Sequence, residues 1–249
     1  MTEEWLFRAR LWSGQGQTDS NFLSALSWTV SGEGSKVAIK PMSILRDFFG
    51  PSRDEIWQQV AATVGGNMTE GSFWGKSSRV DAAHGQWNVT LDTYTVSNGK
   101  SSITYTRMRA PYVNPDGFQF NIYRRGIFSD LGKMLGMQDV EIGDPKFDGD
   151  FIIKGNDDTK LRQLFSDARL RELISAQPDI HFCVKDDDNG TRFWGGQNFP
   201  PGTDELYFQV TGVIKDLDRL KQLFDLFAET LDELCRMGSA YEKNPEVEL

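Results

Sequence analysis

Three arginines and a tyrosine near the middle of this sequence are the residues best suited to bind a ligand. Tyr105, Arg107 and Arg109 are two residues apart, so on a β-strand their side chains point to the same face. Arg124 ends a later apolar segment that we expect to lie close to that strand. Guanidinium groups beside an aromatic ring can hold a phosphate or a carboxylate through paired hydrogen bonds. The pattern therefore indicates a site for a small anion, such as phosphate or a nucleotide.

A second interpretation of the same arginines is structural. The chain has 36 Asp and Glu residues against 27 Lys and Arg residues, and its net charge is −9. Carboxylates are therefore abundant, and acidic residues of the chain itself could neutralise each arginine. We favour this second interpretation but carry both forward.

Neither a common catalytic motif nor a metal site is visible in the sequence. His84 precedes Trp87 in a predicted loop and could act as an acid or a base, but no serine or cysteine motif accompanies it. His181 begins a predicted strand and is expected to be structural. The acidic run 186–190 does not match a calcium-binding loop, and nothing fixes the distances between the acidic residues of 139–150. We predict no metal and no cofactor, and we leave open whether the chain is an enzyme.

The negative charge of the chain is concentrated at its C-terminal end. Residues 201–249 contain eleven Asp and Glu against five Lys and Arg. An acidic surface repels the phosphates of nucleic acids and anionic lipids, so we predict no binding to nucleic acid or membrane. The acidic end is either a solvated helix surface or a docking face for a basic protein partner.

The sequence favours a soluble protein in the cytoplasm. Its N-terminal residues lack the pattern of a signal peptide, and no segment of about 18 apolar residues could span a bilayer. The two cysteines, Cys183 and Cys235, are too few for a disulfide framework and are expected to be buried thiols.

The clearest structural pattern lies near the C-terminus. Between Asp216 and Met237, apolar residues recur at steps of three and four, which places them on one side of an α-helix. They are Leu217, Leu220, Phe224, Phe227, Leu231 and Leu234. Because this helix follows a strand-like segment at 205–214, we predict that it packs on a sheet. The alternative is a seam that joins two copies of the chain in a homodimer.

A helix and a β-hairpin are predicted in the first half of the chain. Ser52 and Glu55 have the spacing of a capping box, which predicts that a helix begins there. Segments 86–96 and 101–110 alternate in polarity on either side of Asn98-Gly99, a dipeptide typical of hairpin turns.

Further elements follow the hairpin. A strand through 118–122 is expected to extend it as an antiparallel meander. The remaining candidates are a helix at 128–137, strands at 139–142, 150–154 and 180–185, and helices within 157–176. This grouping of strands, with helices gathered elsewhere, predicts an α+β fold in which antiparallel sheet structure is covered by helices.

We predict one main folded body. It comprises residues 51–238, with a candidate sub-boundary near 138–148. Residues 1–50 include a stretch rich in Ser and Gly and have no clean periodicity, so we assign them to an N-terminal arm of uncertain order. Residues 239–249 are predicted to form a flexible tail.

One part of the chain resembles a known group of proteins. Asp144-Pro145-Lys146-Phe147 is followed by an apolar strand at 151–153, an acidic cap at Asp157 and leucine-rich helical segments at 161–173. This arrangement resembles the C-terminal part of an uncharacterised bacterial domain-of-unknown-function family, over residues 140–237. The resemblance implies a bacterial source and no assigned activity or site residues. Members of that family are often membrane-tethered at the N-terminus, whereas this chain has no such segment.

The combined observations favour a non-catalytic module for binding or protein interaction, with the acidic C-terminal face as its docking surface. The alternative is a protein or enzyme that binds a small anion through Tyr105, Arg107, Arg109 and Arg124. A homodimer formed through the final helix is the third hypothesis.

Overall fold

The structure is a computed structural model that describes residues 50–71, 77–97, 99–126, 139–186, 199–247 and 249. The chain divides into two units, 1–50 and 51–249, and every element below belongs to the second. The predicted N-terminal arm before Gly50, the predicted helix at 128–137 and most of the acidic run 186–190 lie outside the described residues.

The described residues form the predicted α+β fold, with eight strands in one antiparallel sheet and five helices. In chain order the elements are α1 (Arg53–Val64), β1 (Asn67–Thr69), β2 (Arg79–His84), β3 (Trp87–Ser97), β4 (Ser102–Val113), β5 (Phe120–Arg124), α2 (Pro145–Asp150), β6 (Phe151–Gly155), α3 (Asp158–Leu164), α4 (Ala168–Ser175), β7 (His181–Asp186), β8 (Thr203–Thr211) and α5 (Leu217–Arg236). The strand order across the sheet is β1-β2-β3-β4-β8-β7-β5-β6. Strands that precede and strands that follow the candidate sub-boundary near 138–148 therefore belong to the same sheet.

The prediction that β5 continues the hairpin as a meander is wrong. Strands β2, β3 and β4 are consecutive neighbours, but β4 then pairs with β8, where Met108 lies opposite Phe208. Strand β7 separates β8 from β5. Strand β8 is buried on both faces, through Leu206 on one and Tyr207 on the other, which suits the centre of a sheet. Pairing between such distant segments leaves no local signal in the sequence.

The predicted strand at 139–142 is also wrong. This segment makes only an isolated bridge to Lys154. The backbone N–H groups of Ile142 and Gly143 instead donate to the carboxylate of Asp148, at 2.9 and 3.0 Å. A side chain thus takes the hydrogen bonds that a neighbouring strand would have accepted.

Helix α1 begins where the sequence predicts. The Ser52 side chain accepts from the backbone N–H of Glu55, and the Glu55 carboxylate accepts from that of Ser52, which completes the capping box. Gly65 ends the helix at a φ of 67°. The fully buried Trp57 donates from Nε1 to the carbonyl of Ile214, 3.2 Å away, and so fixes the helix beside the end of β8.

Helix α5 packs on the sheet, as the periodicity predicts. Its first turn is capped by Asp216, whose side chain accepts from the backbone N–H of Arg219. From Leu220 onward every residue of the predicted apolar stripe is buried, and the Phe227 ring lies 5.5 Å from that of Phe182 on β7. Each buried Leu or Phe contributes about 1.5–3 kcal/mol to the free energy of folding. The side chains of this stripe are therefore buried in the chain's own core.

The segment after α5, for which the sequence predicts a flexible tail, contacts the body at several points. The Ser239 hydroxyl donates to Asp116, and Tyr241 makes an isolated β-bridge with Val113. The carbonyl of Tyr241 accepts from Trp87 Nε1 at 3.2 Å. These contacts bring the end of the chain beside the turn between β2 and β3.

Candidate functional site

Three of the four predicted site residues share one face of β4. Tyr105, Arg107 and Arg109 point away from the face on which Met108 enters the core. The structure places Arg124 elsewhere. On β5, its side chain lies on the same face as that of the core residue Ile122.

Arg124 binds the C-terminal end of helix α4. Its guanidinium lies over the Phe151 ring, 4.6 Å from the centroid, and donates to the carbonyls of Ser175 at 3.2 Å and Gln177 at 2.8 Å. These carbonyls lie at the C-terminal end of α4, where a cation is favourable. Arg124 is therefore not brought together with Arg107 and Arg109.

The two remaining arginines share one carboxylate, that of Asp92. Asp92 lies directly opposite Arg107 on the neighbouring strand β3. Its Oδ1 accepts from Arg107 Nε at 2.7 Å, and its Oδ2 accepts from Arg107 Nη2 at 2.8 Å and from Arg109 Nη2 at 2.7 Å. Asp92 thus occupies the position in which a ligand phosphate or carboxylate would be held.

The ionic network around Asp92 is buried, which strengthens its interactions. Burial alone would raise the pKa of Asp92, but the hydrogen bond from Arg107 and the charges of Arg109 and Arg107 outweigh it and hold the pKa below its usual value. Arg109 is only 8% exposed, and its Nη1 lies 3.8 Å from Glu205 on β8. These contacts correspond to the second, structural interpretation of the arginines, in which acidic residues of the chain itself neutralise them.

Aromatic rings fix the exposed end of the network. The rings of Tyr94 and Tyr105 stack with their centroids 5.1 Å apart, and the Arg107 guanidinium lies 4.9 Å from the centroid of Tyr94. The hydroxyls of Tyr94 and Tyr207 both donate to Gln209 Oε1, each at 2.7 Å. The ring that lies against the Arg107 guanidinium is thus that of Tyr94 on β3, a residue that the sequence does not single out, and the donors of Arg107 are directed at Asp92.

Two further titratable groups are buried on the same face, on β7. Burial lowers the pKa of His181 to about 4, with a smaller contribution from the charge of Lys185. Burial raises the pKa of Cys183 to about 12, so this thiol stays protonated and is not a nucleophile near neutral pH. Both residues therefore have the properties of buried structural side chains.

A cleft of about 510 Å³ lies between the β2–β3 turn and the C-terminal end of α5. It is lined by His84, Gly85, Trp87, Asp232, Cys235, Arg236 and Glu242. His84 Nε2 lies 2.9 Å from Asp232 Oδ1, and the His84 ring stacks on Trp87 with centroids 6.0 Å apart. The cleft combines carboxylates with an aromatic wall.

Of the residues that line this cleft, the sequence singles out His84 as a possible acid or base. Asp232 and Glu242 are predicted only as part of the acidic C-terminal end. His84 and Asp232 are 148 residues apart, so no local spacing relates them. The one local signal is Gly85, whose φ of 56° allows the tight turn that presents His84.

The acidic C-terminal end forms a row on α5. Asp218, Asp225 and Asp232 are seven residues apart, so they lie on one side of the helix, opposite the buried stripe. Their side chains are 85%, 60% and 49% exposed. We call these three residues the acidic row. Other acidic residues of the C-terminal end, Glu205 and Glu233 among them, are buried.

Each aspartate of the acidic row has a basic side chain nearby. Lys221 lies 3.4 Å from Asp218, Arg169 lies 3.8 Å from Asp225, and His84 lies 2.9 Å from Asp232. Ion pairs this exposed contribute little and exchange readily with solvent or with another cation.

A second cleft, of about 460 Å³, lies beside β6 and includes Arg125, Arg162 and several carboxylates. Arg125 donates from Nη2 to the carbonyls of Asp148 and Phe151. Within the described ranges, no group of three or more His, Cys, Asp or Glu side chains is arranged to hold a metal ion.

Comparisons with known proteins identify no relative. No protein-family model matches the sequence, and no curated protein or solved structure is significantly similar to it. Among the helices of the described residues, none combines the length and the apolar character needed to cross a membrane.

Proposed function

We propose that this chain is a non-catalytic protein-interaction module that binds a basic partner through the acidic face of α5. The observation that supports the proposal is the acidic row, with three exposed aspartates at seven-residue steps on a helix whose other side is buried in the core. The burial of the apolar stripe holds the helix in place, so the three carboxylates are presented on a rigid support.

The length of the acidic row suits a segment of a partner rather than a small molecule. Fourteen residues of helix separate Asp218 from Asp232, which corresponds to about 21 Å at 1.5 Å per residue. A basic helix or strand with several Lys or Arg residues can span this distance. The net charge of −9 adds long-range attraction that speeds the encounter with such a partner.

The two other hypotheses receive less support. A small anion bound at Arg107 and Arg109 would have to displace Asp92, which already accepts hydrogen bonds from both guanidinium groups. A homodimer through the apolar stripe of α5 would require residues such as Phe227 and Leu231, which are fully buried. Neither surface is open without rearrangement of the core or of the ionic network.

We expect a fluorescein-labelled lysine-rich peptide to bind the chain in a salt-sensitive manner. The triple variant Asp218→Asn, Asp225→Asn, Asp232→Asn should weaken this binding about tenfold, since each lost surface ion pair contributes up to about 1 kcal/mol. The measurement is fluorescence anisotropy at low and at physiological salt, where screening should weaken binding further.

The matched control removes three negative charges elsewhere. Asp139, Glu141 and Asp158 are exposed and border the second cleft. Their replacement by Asn, Gln and Asn changes the net charge by the same amount but leaves the acidic row intact, so it should weaken binding by less than about twofold. Equal losses for the two triple variants would mean that overall charge attracts the peptide, and the proposal would then be wrong.

A further inference from the structure

We infer that the cleft between the β2–β3 turn and the end of α5 takes a single lysine or arginine side chain of the basic partner. This inference deepens the proposed function and rests on it. The cleft lies at the C-terminal end of the acidic row, because Asp232 belongs to both. A basic segment that follows the row would therefore reach the cleft with its last cationic residue.

The charge of the cleft favours a cation. Asp232 and Glu242 supply two carboxylates from different elements of the chain. The C-terminal end of α5 lies at the cleft and adds the partial negative charge of its carbonyl groups. The one arginine of the lining, Arg236, is already ion-paired, with Glu229 at 3.2 Å and Glu233 at 2.6 Å. The local balance is therefore negative.

The wall of the cleft suits the stem of a long cationic side chain. The imidazole of His84 is 35% exposed and is held in place by Asp232 and by stacking on Trp87, at an interplanar angle of 18°. Trp87 also lines the cleft but is only 3% exposed, so its main role there is to support the His84 ring. A flat ring beside a carboxylate can pack against methylene groups or a guanidinium plane.

The glycine in the β2–β3 turn leaves room for the Glu242 carboxylate beside the turn. A Cβ atom at Gly85 would lie 2.9 Å from Glu242 Oε1, so any other residue would push the carboxylate away. The same turn requires a positive φ of 56°. Gly85 thus permits the close approach that brings the second carboxylate to the site.

The test uses the full chain labelled with ¹⁵N and follows the indole N–H signal of Trp87, assigned with Trp87→Phe. Nα-acetyl-lysine amide should shift this signal saturably, whereas the uncharged Nα-acetyl-norleucine amide should not. Glu242→Gln should weaken the lysine response about fivefold through loss of one carboxylate. Arg236→Gln, which removes a competing cation, should leave it unchanged or strengthen it.

The outcomes separate the inference from the proposed function. If the lysine-rich peptide binds at the acidic row but neither probe moves the Trp87 signal, the cleft does not take a cation and the inference is wrong. An equal response to the norleucine compound also overturns it. If the lysine compound moves Trp87 while the double variant Asp218→Asn, Asp225→Asn, which leaves Asp232 of the cleft in place, does not weaken peptide binding, the cleft binds cations and the proposed function fails.

Discussion

Replacement of Asp92 with asparagine is expected to lower the free energy of unfolding by about 3–5 kcal/mol, the usual cost of removing one partner from a buried ion pair. Asparagine has nearly the same shape but no charge, so it leaves Arg107 and Arg109 without the carboxylate that both guanidinium groups contact. The Arg109 side chain is only 10% exposed, and water cannot replace the lost partner efficiently. Urea denaturation of the wild type and the variant measures the difference.

A matched control for this variant is Asp139→Asn. Asp139 also pairs with a cation, Lys154, at 3.3 Å, but its side chain is 61% exposed. Its replacement should therefore change stability by less than about 1 kcal/mol. A similar, small effect of both substitutions would show that Asp92 is not the essential partner of the two arginines.

The same variant tests the small-anion hypothesis. In Asp92→Asn the two guanidinium groups are available, so added inorganic phosphate should raise its melting temperature by binding the folded state. The wild type should not respond, because Asp92 holds that position. A clear rise in the wild type would instead support an anion site at Arg107 and Arg109.

The second large effect is a loss of stability in mild acid. The folded-state pKa of His181 is about 4, below the unfolded value of 6.5. Between these two values the unfolded chain binds a proton that the folded chain does not, so the free energy of unfolding falls as the pH falls from 6.5 to 4. At 1.36 kcal/mol per pKa unit the loss reaches about 3 kcal/mol. Urea denaturation at a series of pH values measures it.

This pH range separates His181 from the carboxylates. The pKa of Asp92 lies below its ordinary value of 3.8, so the stability that this group contributes is lost only at a more acidic pH. The variant His181→Gln should remove the dependence between pH 6.5 and 4. Cys183→Ala, at another buried position on β7, should lower stability but keep the dependence. An NMR titration that finds His181 protonated near pH 6 would contradict the prediction directly.

The sequence predicts correctly those helices whose capping residues or apolar stripe lie within the helix segment itself. The capping box at Ser52 and the apolar stripe of α5 each specify an element through residues only three or four positions apart. The hairpin β3–β4 was predicted for the same reason, because its turn and its alternation are local. These elements were sufficient to predict an α+β fold with a helix on the sheet.

The parts that could not be predicted depend on contacts between distant segments. The insertion of β8 and β7 between β4 and β5 is decided by which strand is buried on both faces, and neighbouring residues do not reveal this. The same is true of Arg124. Its spacing could not show that β5 turns this side chain toward the end of α4.

The candidate site was predictable only in part. The strand spacing correctly placed Tyr105, Arg107 and Arg109 on one face, but it could not show that Asp92 lies opposite them. The acidic character of the C-terminal end was visible in the sequence. Its division into an exposed row on α5 and buried carboxylates such as Glu233 required the structure.

Mapping the lysine-rich peptide on the ¹⁵N-labelled chain by amide chemical shifts tests the central claim most directly. We predict that the perturbed amides cluster along α5 around the acidic row and extend to the β2–β3 turn at residues 84–87. Perturbations centred on β4 around Arg107 and Arg109, or scattered over the whole surface without saturation, would contradict the assignment of α5 as the binding face.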